Sequence, residues 1–104
     1  MSEFGDKREL FTNCIYRLLG YMYSKGMRPR FDKEHCNHMN GSLHYDGLAK
    51  DILLFDNDNN YLKNTEDYTE FGNYWKSLNP SCRWGGDFKN KDGNHFSITF
   101  GGKA

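Results

Sequence analysis

Residues 42–51 read SLHYDGLAKD, and residues 92–95 read DGNH. Outward from Gly47 the first stretch runs into a strand pattern. Leu48, Lys50, Ile52 and Leu54 alternate with Ala49, Asp51, Leu53 and Phe55. The spacing predicts a strand over 47–55 with Asp51 on a face it shares with apolar neighbours. A carboxylate on such a face needs a partner, because an unpaired buried charge is expensive. A Lys or Arg would serve, and so would a bound cation; His44, close before the same strand, favours the cation. A second clear strand, HFSITF over 95–100, begins with His95 and puts His95, Ser97 and Thr99 on one face. His44, Asp51 and His95 are then two imidazoles and one carboxylate, a set that can hold a catalytic zinc and leave its fourth position open. Asp92 precedes His95 by three residues across a Gly-Asn turn, placed to act as a base without being a ligand.

The flanking sequence supplies the rest of a small fold. Residues 27–41 have no clean period, Pro29 breaks any helix, and Asn40-Gly41 marks a turn, so this stretch reads as a loop bordering the cleft. Its His35, Cys36 and His38 match no standard zinc spacing. Upstream, Leu10, Phe11, Cys14, Ile15, Leu18, Leu19 and Met22 form one apolar stripe on a helix over 6–24. Asp6 with Glu9 resembles a capping box, and Gly26 is the expected stop. Downstream, Asp56 to Tyr61 is a hairpin turn. Asp56, Asp58 and Asn60 alternate as at the start of a calcium loop, but Tyr61 stands where that loop needs glycine. Thr65 is the expected N-cap of a second helix whose apolar face is Tyr68, Phe71, Trp75 and Leu78, ended by Asn79-Pro80. Cys82 to Phe88 reads as a short strand and a Gly-Gly turn. The order helix, strands, helix, strands predicts an α+β domain with a small antiparallel sheet and two main helices.

The chain has 104 residues, enough for a single domain over 1–104 and not two. Lys plus Arg and Asp plus Glu each number 14, so there is no excess positive charge to displace counterions from nucleic acid. No apolar run is long enough to insert in a membrane. The N-terminal MSEFGDKREL lacks the apolar region of a secretory signal, so the expectation is a protein held in the cytoplasm until something else releases it. Three cysteines without a C-x-x-C pair read as free thiols.

The pattern S-x-H-x-x-G-x-A-x-D, here Ser42, His44, Gly47, Ala49 and Asp51, resembles the first metal motif of the VanY-like D-alanyl-D-alanine carboxypeptidase group. W-G-G-D-F, here Trp84 to Phe88, and D-x-x-H, here Asp92 and His95, resemble that group's second motif. The likeness extends to the group's phage members, the L-alanyl-D-glutamate endopeptidase endolysins. It implies a hedgehog- or D,D-peptidase-like zinc domain, with Zn2+ on His44, Asp51 and His95 and Asp92 as acid/base. It implies a peptidoglycan stem peptide as substrate, with Arg28, Arg30, Ser42 and Trp84 as candidates to bind it. It further implies a monomer stored in the host cytoplasm and released to the wall at lysis. Relatives often carry an Arg-Ser or Arg-Thr element and a Gln shortly before the S-x-H; Arg28 and Arg30 stand here without either pattern. The competing readings are a D,D-carboxypeptidase and a non-catalytic zinc domain of the hedgehog kind. Asp92 argues against the second, since a silent domain has no need of a base.

Overall fold

The computed structural model describes residues 3–33 and 47–100. Helix α1 spans Glu3–Ser24. Phe11, Cys14, Ile15, Leu18 and Met22 of the expected stripe are buried. The helix begins before Asp6, so the capping box expected there does not form; Asp6 and Glu9 stand inside the first turns. Gly26 does end it. With φ +81° it lets its own N–H and that of Met27 turn back to the carbonyls of Tyr23 and Met22, both at 3.0 Å, which satisfies two carbonyls the helix would otherwise leave unpaired.

The strands are β1 (Arg28–Phe31), β2 (Ala49–Phe55), β3 (Tyr61–Leu62), β4 (Cys82–Trp84) and β5 (His95–Ile98). Among the described residues they form one antiparallel sheet in the order β1-β2-β5-β4, with β3 beside the far end of β2. The loop expected over 27–41 therefore needs correcting in its first part, because residues 28–31 are a strand. Its sequence, RPRF, hides this: Pro29 lacks the N–H of a central strand and gives no alternation, yet proline is tolerated at a sheet edge, where β1 lies. The turn between β2 and β3 is the expected hairpin. Asp56 Oδ1 accepts the N–H groups of Asp58 and Asn60 at 2.9 Å each, and these bonds, with Asn60 foremost, hold its carboxyl below the usual carboxylate range.

Helix α2 (Thr69–Leu78) follows a single tight turn at Thr65–Tyr68. The cap is Asn64 and not Thr65: the Asn64 N–H donates to Asp67 Oδ2 at 3.3 Å while the Asp67 N–H donates to the Asn64 carbonyl at 3.0 Å. Both helices contribute to one core with the sheet. Trp75 is its centre, fully buried, with its ring edge-on to Phe11 of α1 and Phe96 of β5 at 5.8 and 5.9 Å. Its indole N–H is shared between the carbonyls of Arg83 and Ser97, at 2.9 and 3.0 Å. One side chain thus ties α2 to β4 and β5 together, and burying a ring of that size contributes at least about 2 kcal/mol. Cys14 and Cys82 are free thiols buried in this core, and burial pushes the Cys82 thiol up to about 12. No helix of the described residues is long and apolar enough to cross a membrane.

Tyr68 joins α2 to the β2–β3 hairpin. Its hydroxyl donates to the Leu62 carbonyl at 2.7 Å and accepts the Leu54 N–H at 3.0 Å. Burial, as the largest cause, pushes its pKa up to about 12. Tyr68→Phe is expected to strand both backbone groups and cost about 1–3 kcal/mol, seen as a lower denaturant midpoint at unchanged slope. A phenol whose folded pKa lies above its unfolded value of about 10 contributes stability that is complete below pH 10 and is lost as pH rises toward 12. Wild-type stability should therefore fall across that window, and the fall should be shallower in Tyr68→Phe.

Candidate metal centre

The register of β2 against β5 sets Asp51 directly opposite His95. Residues so opposed share a face and bring their side chains within reach, and His95 Nδ1 lies 3.2 Å from Asp51 Oδ1. The turn before β5 adds the third group. The His95 N–H donates to the Asp92 carbonyl at 3.1 Å, which curls residues 92–95 so that Asp92 returns to the end of the strand. One ligand atom from each of Asp51, Asp92 and His95 lies within 4.8 Å of the other two. His95 is buried, Asp51 half-buried and Asp92 exposed. The imidazole also packs against the Phe88 ring, 5.3 Å between centroids, which restrains its rotation.

The W-G-G segment explains why the turn closes where it does. The Gly85 carbonyl accepts the N–H groups of Asp92 and Phe88, at 2.9 and 3.1 Å. A Cβ at Gly85 would stand 2.0 Å from the Asp92 carbonyl oxygen and 2.8 Å from His95 Cβ, so no larger residue fits under the metal turn. Trp84 was expected at the substrate, and the structure corrects this. It is 5% exposed, sits opposite Phe96 among the core residues, and donates its indole N–H to the Gly93 carbonyl at 2.7 Å. Its work is to anchor the turn from beneath. The alternation Cys82, Arg83, Trp84 already carried that signal, since it pairs Trp84 with the core-facing Cys82.

The donor set fits zinc, which takes imidazole nitrogen and carboxylate oxygen. With zinc–ligand distances near 2.0–2.1 Å, two ligand atoms of a tetrahedral ion are roughly 3.3 Å apart. The 3.2 Å between His95 Nδ1 and Asp51 Oδ1 matches that edge, and is also the length of the hydrogen bond the pair makes without metal. The half-open setting of Asp51 differs from the sequence expectation. Its neighbours Ala49, Leu53 and Phe55 do share its face, and Ala49 is fully buried there, but Leu53 and Phe55 are only half-buried, while Ile52 and Leu54 on the other face are fully buried. Asp51 is thus no isolated buried charge; His95 is its partner.

His44 and Ser42 lie outside the described residues, as do His35, Cys36, His38 and Glu34. Arg28 and Arg30 are exposed on β1, opposite Phe55 and Leu53, which places them on the Asp51 face but farther along the strand. Arg30 is turned to Asn59 Oδ1 at 2.8 Å and lies 3.8 Å over the Phe55 ring. Asp87 pairs with Lys76 at 2.8 Å. A polar cleft of about 120 Å³ borders Asp92, and Lys63 and Lys91 line it. Neither lysine was singled out from the sequence, because a lone lysine carries no spacing or pattern; only the pairing of distant elements brings the two to one place.

Residues 36–98, well over half of the chain, match the family model described as D-alanyl-D-alanine carboxypeptidase. No curated protein matches. The matched span includes Asp51, Asp92 and His95, and His44 as well.

Metal analysis of the purified protein is expected to give one zinc per chain, and His95→Ala to lose it. Gly85→Ala replaces no ligand, yet it should weaken zinc retention against a chelator and lower stability by about 1–3 kcal/mol through overpacking. Unchanged zinc content in His95→Ala would refute the centre.

Proposed function

The chain belongs to the D-alanyl-D-alanine carboxypeptidase family of zinc-dependent metallopeptidases, and on that premise we propose that it hydrolyses the stem peptide of peptidoglycan at the L-alanyl-D-glutamate bond. The observation that carries the reading is the convergence of Asp51, Asp92 and His95 within 4.8 Å at the β2–β5 seam. Asp51 and His95, on paired central strands, would hold the metal, with His44 of the S-x-H-x-x-G motif as the third ligand. Zinc, when bound, supplies Lewis acidity that brings the pKa of a water to about 7 and polarises a carbonyl.

The remaining work falls to the side chains. Asp92 stands on a turn and is exposed, so it can exchange protons with solvent and reach the scissile bond. It takes a proton from the attacking water as oxygen adds to the peptide carbon. It returns that proton to the nitrogen as the carbon–nitrogen bond breaks. The products are a new carboxylate and a free amine. What supports the endopeptidase over other members is the likeness to the phage members, with Asp at position 92 where some members of the group have Glu. The same likeness leads us to read the protein as a phage endolysin, held in the host cytoplasm and acting on the wall at lysis. The family description itself favours a second reading, release of the terminal D-alanine.

Mass spectrometry of digested peptidoglycan separates the two. New N-terminal D-glutamate is expected; free D-alanine as sole product would select the carboxypeptidase. Asp92→Asn is expected to lower the rate by roughly 10²–10⁴-fold with zinc content and melting temperature close to wild type. Near-normal hydrolysis by zinc-loaded Asp92→Asn would remove Asp92 from the mechanism.

A further inference from the structure

We propose that Lys63 and Lys91 form a carboxylate subsite that selects the amine side of the scissile bond. The inference rests on the peptidase reading above and deepens it. The cleft beside Asp92 is walled by residues from three separate places in the fold: Tyr61 at the end of the hairpin, Tyr68 at the entry to α2, and Asn94 before β5. Into it come Lys63, just after β3, and Lys91, next to Asp92 in the chain. Both lysines are exposed, and neither makes an ion pair among the described residues. Asp92 is the one carboxylate in the lining. Tyr68 has its hydroxyl fully engaged by Leu62 and Leu54, so it serves as wall and leaves the lysines to set the charge of the cleft.

Substrate chemistry supplies the matching anion. In a stem peptide the D-glutamate continues through its γ-carboxyl, so its α-carboxylate is free on the carbon that bears the leaving nitrogen. The terminal D-alanine of a D-alanyl-D-alanine end has a free carboxylate in the same position. In either case the anion is two bonds from the nitrogen that leaves. Whatever protonates that nitrogen must therefore have the carboxylate's partner close beside it. Asp92 has Lys91 as its chain neighbour and Lys63 lining the same cleft. Two ammonium groups bind a carboxylate as charge-assisted donors. Because they are exposed, their attraction is partly screened and salt-dependent.

The test measures binding separately from cleavage. Zinc-loaded protein is titrated by calorimetry with the amine-side product, γ-D-glutamyl-L-lysine, with its α-carboxyl free or converted to the carboxamide. Wild type is expected to bind the carboxylate form about tenfold more tightly, with a preference that shrinks as salt is added. Lys63→Gln/Lys91→Gln is expected to bring the ratio near one at unchanged zinc content and melting temperature. With a cleavable L-alanyl-D-glutamyl peptide, the same variant should raise KM and leave kcat close to wild type. Equal binding of the two forms by wild type, or a preference kept by the double variant, would overturn the subsite. Failure of wild type to cleave either bond would instead count against the peptidase reading, while the binding ratio still decides the subsite.

Discussion

The pairing of β2 with β5, in the register that sets Asp51 opposite His95, is the constraint on which the rest depends. A slip of one residue would send Asp51 to the other face and bring Lys50 or Ile52 to the metal side. The register is defended from the core side. Ile52 and Leu54 of β2 are fully buried against Phe96 and Ile98 of β5, so a slip of β2 would turn two large apolar groups out of the core. Each such group contributes about 1.5–3 kcal/mol on burial. The polar pair is thus held in place by apolar neighbours on the opposite face of the same strands.

The helices act on that register indirectly. Trp75 reaches from α2 to the carbonyls of both Arg83 and Ser97, so one indole ties α2 to two strands that already pair with one another. Trp84 then extends the same logic toward the site. It is buried in the core, but its own indole holds the Gly93 carbonyl, and Gly93 lies between Asp92 and His95. Gly85 completes the support from the other side of the turn, through its carbonyl and its missing side chain. The W-G-G sequence is best understood as the floor of the metal turn.

Much of this was legible before any coordinates. Helix α1, the long strand β2, the hairpin, the aromatic face of α2 and the strand at His95 each follow a period that local physics fixes. Asp51 and His95 were found because a carboxylate or imidazole at a strand edge interrupts an otherwise apolar pattern. What escaped was set by tertiary context. RPRF has neither alternation nor a β-rich composition, and it is a strand because the exposed edge of β2 needs a partner. Thr65 and Asn64 are both good caps, and the choice between them falls to the Asp67 carboxylate. Trp84 seemed to belong to the substrate because it adjoins a motif, whereas the face it takes follows from its pairing with Phe96.

Exposure rises across the three groups, from buried His95 through half-buried Asp51 to exposed Asp92. A metal ligand gains from rigidity, and His95 has it: a buried central strand, a paired carboxylate and an aromatic ring against the imidazole. Asp92 stands exposed on its turn, the setting in which the acid/base proposed above would exchange protons with solvent. Asp51 is intermediate, half-buried and held to His95. Two carboxylates this close repel one another unless a proton or a cation lies between them. That repulsion favours a cation at the centre, where the two carboxylates and the imidazole meet.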